Sequence, residues 1–126
     1  MKLVGFIKEI DFFPWAKPLE EYMMDINPSE LIDQITVYLE KGKLVIGWMG
    51  YYIDLETKEH IAPHAYYTDG IWVWPSYYPY YIRKYSRFAI DKEFLKYLQD
   101  RKFEESVMDF NELELQKEFI EKIKSR

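Results

Sequence analysis

The stretch Thr68-Asp69-Gly70-Ile71-Trp72-Val73-Trp74-Pro75 decides how the rest of this chain is read. Asp-Gly is the strongest short hairpin signal a sequence offers, because a type I′ turn needs positive φ at both central residues. With Asp69-Gly70 as a two-residue loop, Thr68 pairs with Ile71, Tyr67 with Trp72, Tyr66 with Val73 and Ala65 with Trp74. That register sets Tyr67 and Ala65 on the face of Trp72 and Trp74, with His64 and Tyr66 on the other. Both indoles point one way and both aliphatic side chains the other. The strand is therefore either covered on both faces or displays aromatic rings at a functional surface. Pro75 cannot donate to a ladder and ends it.

Upstream, residues 60–67 read as the hairpin's first strand and 43–53 as a longer one, in which Gly47 and Gly50 mark bulges. Before these, residues 2–7 read as a short strand broken by Pro14 and Pro18, and a helix starts near Pro18 with Leu19, Tyr22 and Met23 on one side. A better-marked helix has Asn27 as cap, Pro28 in its first position, an Asn-x-x-Glu box closed by Glu30, and the stripe Leu31, Ile35, Tyr38, Leu39. Gly42 closes it as a left-handed C-terminal residue. Downstream, Ser76–Tyr85 reads as a helix with Tyr77, Tyr81 and Tyr85 on its apolar stripe and Tyr80, Arg83 and Lys84 opposite. Helices capped by Asp91 and by an Asn111–Glu114 box follow, the last with the stripe Leu115, Phe119, Ile123. The sum is an α+β domain, an antiparallel meander of three to four strands in the middle of the chain with helices from both ends packed on it. No repeat or linker divides residues 1–126, so one domain is expected.

The composition supports this and closes off several functions. A globular domain of 126 residues buries roughly two-thirds of its unfolded surface and needs no staples. The absence of cysteine excludes thiolate catalysis and cysteine-ligated metals. A net charge of −5 has the wrong sign for holding nucleic acid by phosphate neutralisation. Lys8, Glu9 and Asp11 cut the N-terminal apolar run too early for a signal peptide, and nowhere is there an apolar run long enough to span a bilayer, so a cytoplasmic location and no membrane partner are expected.

No familiar catalytic pattern emerges. His60 and His64 would converge on a metal if helical, but in a strand four residues span roughly 13 Å, too far for one ion, so both read as structural. Ser76, His64 and Asp69 supply the residue types of a hydrolytic triad without a nucleophile elbow. The pairs Glu20/Glu21 and Glu104/Glu105 are sequence neighbours that point apart on a helix, and Gly47-Trp48-Met49-Gly50 lacks the lysine of a phosphate loop. No catalytic residue, metal or cofactor is assigned.

What stands out is the aromatic content, 19%, with Tyr66, Tyr67, Trp72, Trp74, Tyr77, Tyr78, Tyr80, Tyr81 and Tyr85 inside twenty residues. Tyrosines at helical spacing are first of all packing residues. Yet Tyr and Trp are also enriched at interfaces, and Trp72, Trp74, Tyr80 and Arg83 are the candidate binding surface. The segments Asp69-Gly70-Ile71-Trp72-Val73-Trp74-Pro75, Tyr80-Tyr81-Ile82 and Phe88-Ala89-Ile90-Asp91-Lys92-Glu93-Phe94-Leu95 resemble a pattern in small uncharacterised bacterial proteins, Asp-Gly-x-Trp-x-Trp-Pro, Tyr-Tyr-Val and then Leu-Pro-x-Glu-Phe. Asp91-Lys92 stands where that pattern has Leu-Pro. Those proteins resemble immunity proteins, which neutralise the toxins of competing bacteria. The resemblance implies a non-enzymatic cytoplasmic binding protein whose acidic and aromatic surface blocks a toxin-like protein partner. The alternative is a small-ligand or carbohydrate-binding module with Trp72 and Trp74 as a stacking floor.

Overall fold

A computed structural model describes residues 1–24, 26–104 and 110–124. In chain order the elements are β1 (Lys2–Leu3), α1 (Lys8–Asp11), α2 (Leu19–Tyr22), α3 (Ser29–Glu40), β2 (Lys43–Ile53), β3 (His60–Thr68), β4 (Trp72–Pro75), α4 (Tyr78–Lys84), α5 (Lys92–Asp100) and α6 (Glu112–Lys124). The fold is α+β, with β1-β4-β3-β2 in one four-stranded sheet. Glu105, of the second carboxylate pair, lies outside the described residues.

The sheet corrects the expectation of a purely antiparallel meander. β2, β3 and β4 do run antiparallel in sequence, but β1 joins β4 in parallel, with Lys2 opposite Trp72 and Leu3 opposite Val73. A run of apolar residues fixes neither a strand's direction nor its neighbour, so residues 2–7 carried no sign of this. The strand itself is only two residues long, and the Val4 amide, donating to the Val73 carbonyl at 3.0 Å, makes the last contact with β4 before Gly5. Gly5 has φ +81°, and a Cβ there would collide with the Tyr78 ring.

The hairpin is also corrected. Thr68 lies opposite Val73, Tyr67 opposite Trp74 and Tyr66 opposite Pro75. The connection is therefore a four-residue loop, and the register is two residues away from that of a two-residue turn. Side chains build this loop: Asp69 Oδ1 accepts from the Ile71 and Trp72 amides at 3.0 and 2.9 Å, and Thr68 Oγ1 donates to the Trp72 carbonyl at 2.6 Å. Aspartate's ability to satisfy its own turn outweighs the type I′ preference. A slip of two preserves every facing, because side chains alternate with period two. Tyr67 thus shares a face with Trp74, and His64 lies with Tyr66 and Trp48 on the other side.

Both faces of the sheet are covered at β4. Trp72 and Trp74 pack with Ile35, Tyr38 and Leu39 of α3, Tyr81 and Ile82 of α4, and Phe94 and Leu98 of α5. On the opposite face Val45, Tyr66 and Val73 pack with Phe6 and with Leu115 and Phe119 of α6. Two caps differ from their sequence reading. Asn27 does not cap α3; its amide donates to the Phe88 carbonyl at 2.7 Å, and Pro28 takes the cap position. Gly42 is not left-handed, and its lack of a side chain serves packing, since a Cβ there would press on the Trp74 ring. Asp91 and Asn111 cap as expected, accepting from the Phe94 and Glu114 amides at 3.0 and 3.1 Å. Among the described residues no helix is long and apolar enough to cross a membrane.

Candidate binding face and its cleft

The four residues singled out from the sequence do not form one surface. Trp72 and Trp74 are 3% and 1% exposed, so neither indole offers a stacking floor. Covering both faces of β4 is what hides them. Tyr80 is half-buried rather than exposed, because its hydroxyl donates to Asp54 at 2.5 Å. Arg83 alone is exposed, paired with Glu40 of α3. Tyr77 and Tyr81 are buried, whereas Tyr85 is only half-buried.

The exposed aromatic surface lies instead along β2, an edge strand. Between Gly47, opposite Ala65, and Tyr51, opposite Pro63, β2 has three residues where β3 has only His64. This bulge, at the two glycines where the sequence suggested one, pushes Trp48 and Met49 out of the sheet. Met49 is 98% exposed and Tyr51 61%, and Phe12, left-handed at φ 60° just past α1, is 76% exposed. Exposed apolar side chains gathered in this way mark interaction sites more often than scattered ones.

Beside them opens a cleft of about 650 Å³, lined among others by Phe12, Phe13, Trp48, Tyr51, Tyr52 and Tyr66. Among the described residues its lining acids are Glu9 and Asp11, its one imidazole is His64, and no Lys or Arg lines it. Asp11 is the organising group. Its Oδ1 accepts from the hydroxyls of Tyr52 at 3.0 Å and Tyr66 at 2.7 Å, and its Oδ2 from Tyr77 at 2.6 Å. Those three tyrosines come from β2, β3 and the start of α4, so one carboxylate joins three separate elements. Tyr77 in turn accepts from the Ile7 amide at 2.9 Å, which fixes α1 against α4. Glu9 turns back to accept from the Leu19 amide at 3.0 Å.

Burial pushes the Asp11 carboxyl above its ordinary value, although the tyrosine hydroxyls and His64 pull the other way. Burial and the neighbouring Asp11 charge push Tyr52, Tyr66 and Tyr77 well above the usual phenol range, so all three stay neutral donors. Asp54, in the β2–β3 turn, is the instructive contrast. It is buried too, but Lys84 Nζ sits 2.7 Å away and Tyr80 and the Glu56 and Thr57 amides donate to it, so its carboxyl is held well below the usual range despite burial.

The imidazoles serve packing here. His60 stacks on Tyr51 with ring centroids 5.3 Å apart, and His64 lies 4.8 Å from Tyr52 and 5.2 Å from Trp48. Sequence reasoning missed Asp11, Trp48 and Tyr51. The one available signal was Asp11 itself, a lone acid between Ile10 and Phe12-Phe13. Comparison with protein-family models, with curated proteins and with solved structures finds no match, so the geometry alone carries the functional argument.

Proposed function

We propose that this chain is a non-enzymatic binding protein of the immunity type, which blocks a toxin-like protein partner with the β2 face. The observation that carries the reading is the bulged edge strand, which holds Trp48, Met49 and Tyr51 in solvent beside Phe12. Exposing these rings and the thioether costs hydration free energy in the free protein, a cost removed when a partner covers them. Trp, Tyr, Phe and Met are the residue types enriched at interface cores. The net charge of −5 suits a basic partner and speeds its approach. A cytoplasmic location belongs to the same proposal.

The test is affinity capture from cells that produce the protein, comparing wild type with Met49→Asp and Tyr51→Ala. Both residues are exposed, so the variants keep the wild-type melting temperature. A stoichiometric protein retained by wild type and lost by both variants supports the reading. A partner retained equally by all three places the interface elsewhere.

A further inference from the structure

Two of the covered aspartates among the described residues, Asp11 and Asp54, differ in one respect. Asp54 has an ammonium group on it. Asp11 has three neutral hydroxyls and, among the described residues, no ion pair. Hydroxyl donors disperse a carboxylate's charge but do not neutralise it, and a partly desolvated anion without a countercharge is a costly arrangement. Asp11 also stands at the wall of a cleft open to solvent, whereas Asp54 is sealed under its own turn.

The rest of the lining points to the missing charge. The faces of Trp48, Tyr51, Tyr52 and Phe12 carry the negative end of the ring quadrupole, which attracts a cation and repels an anion. Glu9 adds a second acid at the same cleft, and among the described residues its lining includes no lysine or arginine to supply the charge from within, His64 being its one imidazole. The volume suits a small organic group rather than a bare ion. Among the described residues no group of acids and imidazoles is arranged to hold a metal.

From this geometry we infer that the cleft bounded by Asp11, Trp48, Tyr51 and Tyr52 is a binding site for an organic cation, an alkylammonium or guanidinium group. The aromatic faces desolvate the apolar part of the ligand while Asp11 supplies the countercharge. A cation of this class comes either as a free small molecule or as a basic side chain of a protein. The site stands whether or not the β2 face docks a partner, since it is built entirely within this chain.

The test is a chemical-shift titration of the whole protein with N-methylguanidinium and tetramethylammonium chlorides, each against a neutral isostere, N-methylurea and tert-butanol. A further arm compares acetyl-Gly-Arg-Gly-amide with its Gln counterpart. The expected result is saturable shifts at the cleft with at least one cation, at least about tenfold weaker for its neutral isostere, and at least about tenfold weaker again in Asp11→Asn. Trp48→Ala, which leaves every hydrogen bond to Asp11 in place, weakens cation binding as well and keeps the test decisive if Asp11→Asn misfolds. An Arg peptide bound at least tenfold tighter than the free cations identifies a protein side chain as the source, and comparable affinities identify a free small molecule. Neutral isosteres that bind equally well, cation affinity unchanged in Asp11→Asn and Trp48→Ala, or no saturable shift at the cleft overturns the proposal.

Discussion

Tyr77 donates to Asp11 Oδ2 at 2.6 Å across 66 residues of chain, and the same hydroxyl accepts from the Ile7 amide. The contact closes α1 over the start of α4, and it makes Asp11 structural as well as a candidate for binding. The two roles respond differently to substitution. Asp11→Leu strands three tyrosine hydroxyls and lowers stability by about 3 kcal/mol, within the penalty for leaving buried donors unpaired. Asp11→Asn keeps an acceptor oxygen, removes a partly desolvated charge, and changes stability by less than about 1 kcal/mol. Urea denaturation of both variants checks the difference.

The two aspartates respond oppositely to acid. Asp54 has a depressed native pKa, so its contribution to stability is complete above about pH 4, where the unfolded carboxyl ionises, and is lost as pH falls through the native value. Asp11 has a raised native pKa, so the folded state holds that proton more tightly than the unfolded one. Its term therefore favours folding below the unfolded pKa and declines as pH rises to the native value. Urea midpoints followed from pH 7 to pH 3 show this: the deficit of Asp54→Asn against wild type shrinks on acidification, and the wild-type advantage over Asp11→Asn grows.

Cation affinity at the cleft falls on acidification for the same reason. Protonation of Asp11, whose carboxyl burial pushes above its ordinary value, removes the countercharge. The other groups at Asp11, namely Tyr52, Tyr66 and Tyr77, stay neutral, and Glu9 is engaged at the Leu19 amide. The titration above, repeated at pH 4 and pH 8, gives the weaker binding at pH 4.

Within α4 the hydroxyl and the ring separate cleanly. Tyr81 is fully buried, and Tyr81→Ala costs about 4 kcal/mol, as large-to-small changes at aromatic core sites do. Tyr80→Phe deletes only the donor to Asp54, which keeps Lys84 and two backbone amides, and costs about 1 kcal/mol. Chemical denaturation of the two variants measures both values.

Gly5→Ala is a damaging small change. It combines a positive φ with a collision against the Tyr78 ring, and costs at least about 2 kcal/mol. Thermal unfolding of the variant checks it.

The elements were largely legible in the sequence because they rest on local signals. Apolar spacing, Asp91, Asn111 and the two bulge glycines act within a few residues of themselves. The facing of Tyr67 and Trp74 also survived the wrong loop length, since a slip of two leaves it unchanged. What could not be read depends on distant partners. The parallel pairing of β1 needs β4 beside it, Gly42 needs the Trp74 ring, and Asn27 leaves its helix for the Phe88 carbonyl. The cleft was hidden for the same reason: Asp11, Tyr52, Tyr66 and Tyr77 are scattered over the sequence and meet only in the fold. Aromatic density drew attention to 66–85, yet density marks the core, and the exposed rings stand on the bulge of β2, where the aromatics are sparser.

The central claim is that the bulge of β2 is the face this protein presents to a partner. Site-specific photo-crosslinking tests it most directly, with a photoreactive residue at Met49 in one variant and, as a control, at Lys96 on the exposed side of α5 in another. The account predicts that the Met49 probe, in cells that produce the protein, forms one dominant crosslink to a second protein and that the Lys96 probe forms none. A dominant crosslink from Lys96 with none from Met49 would contradict it.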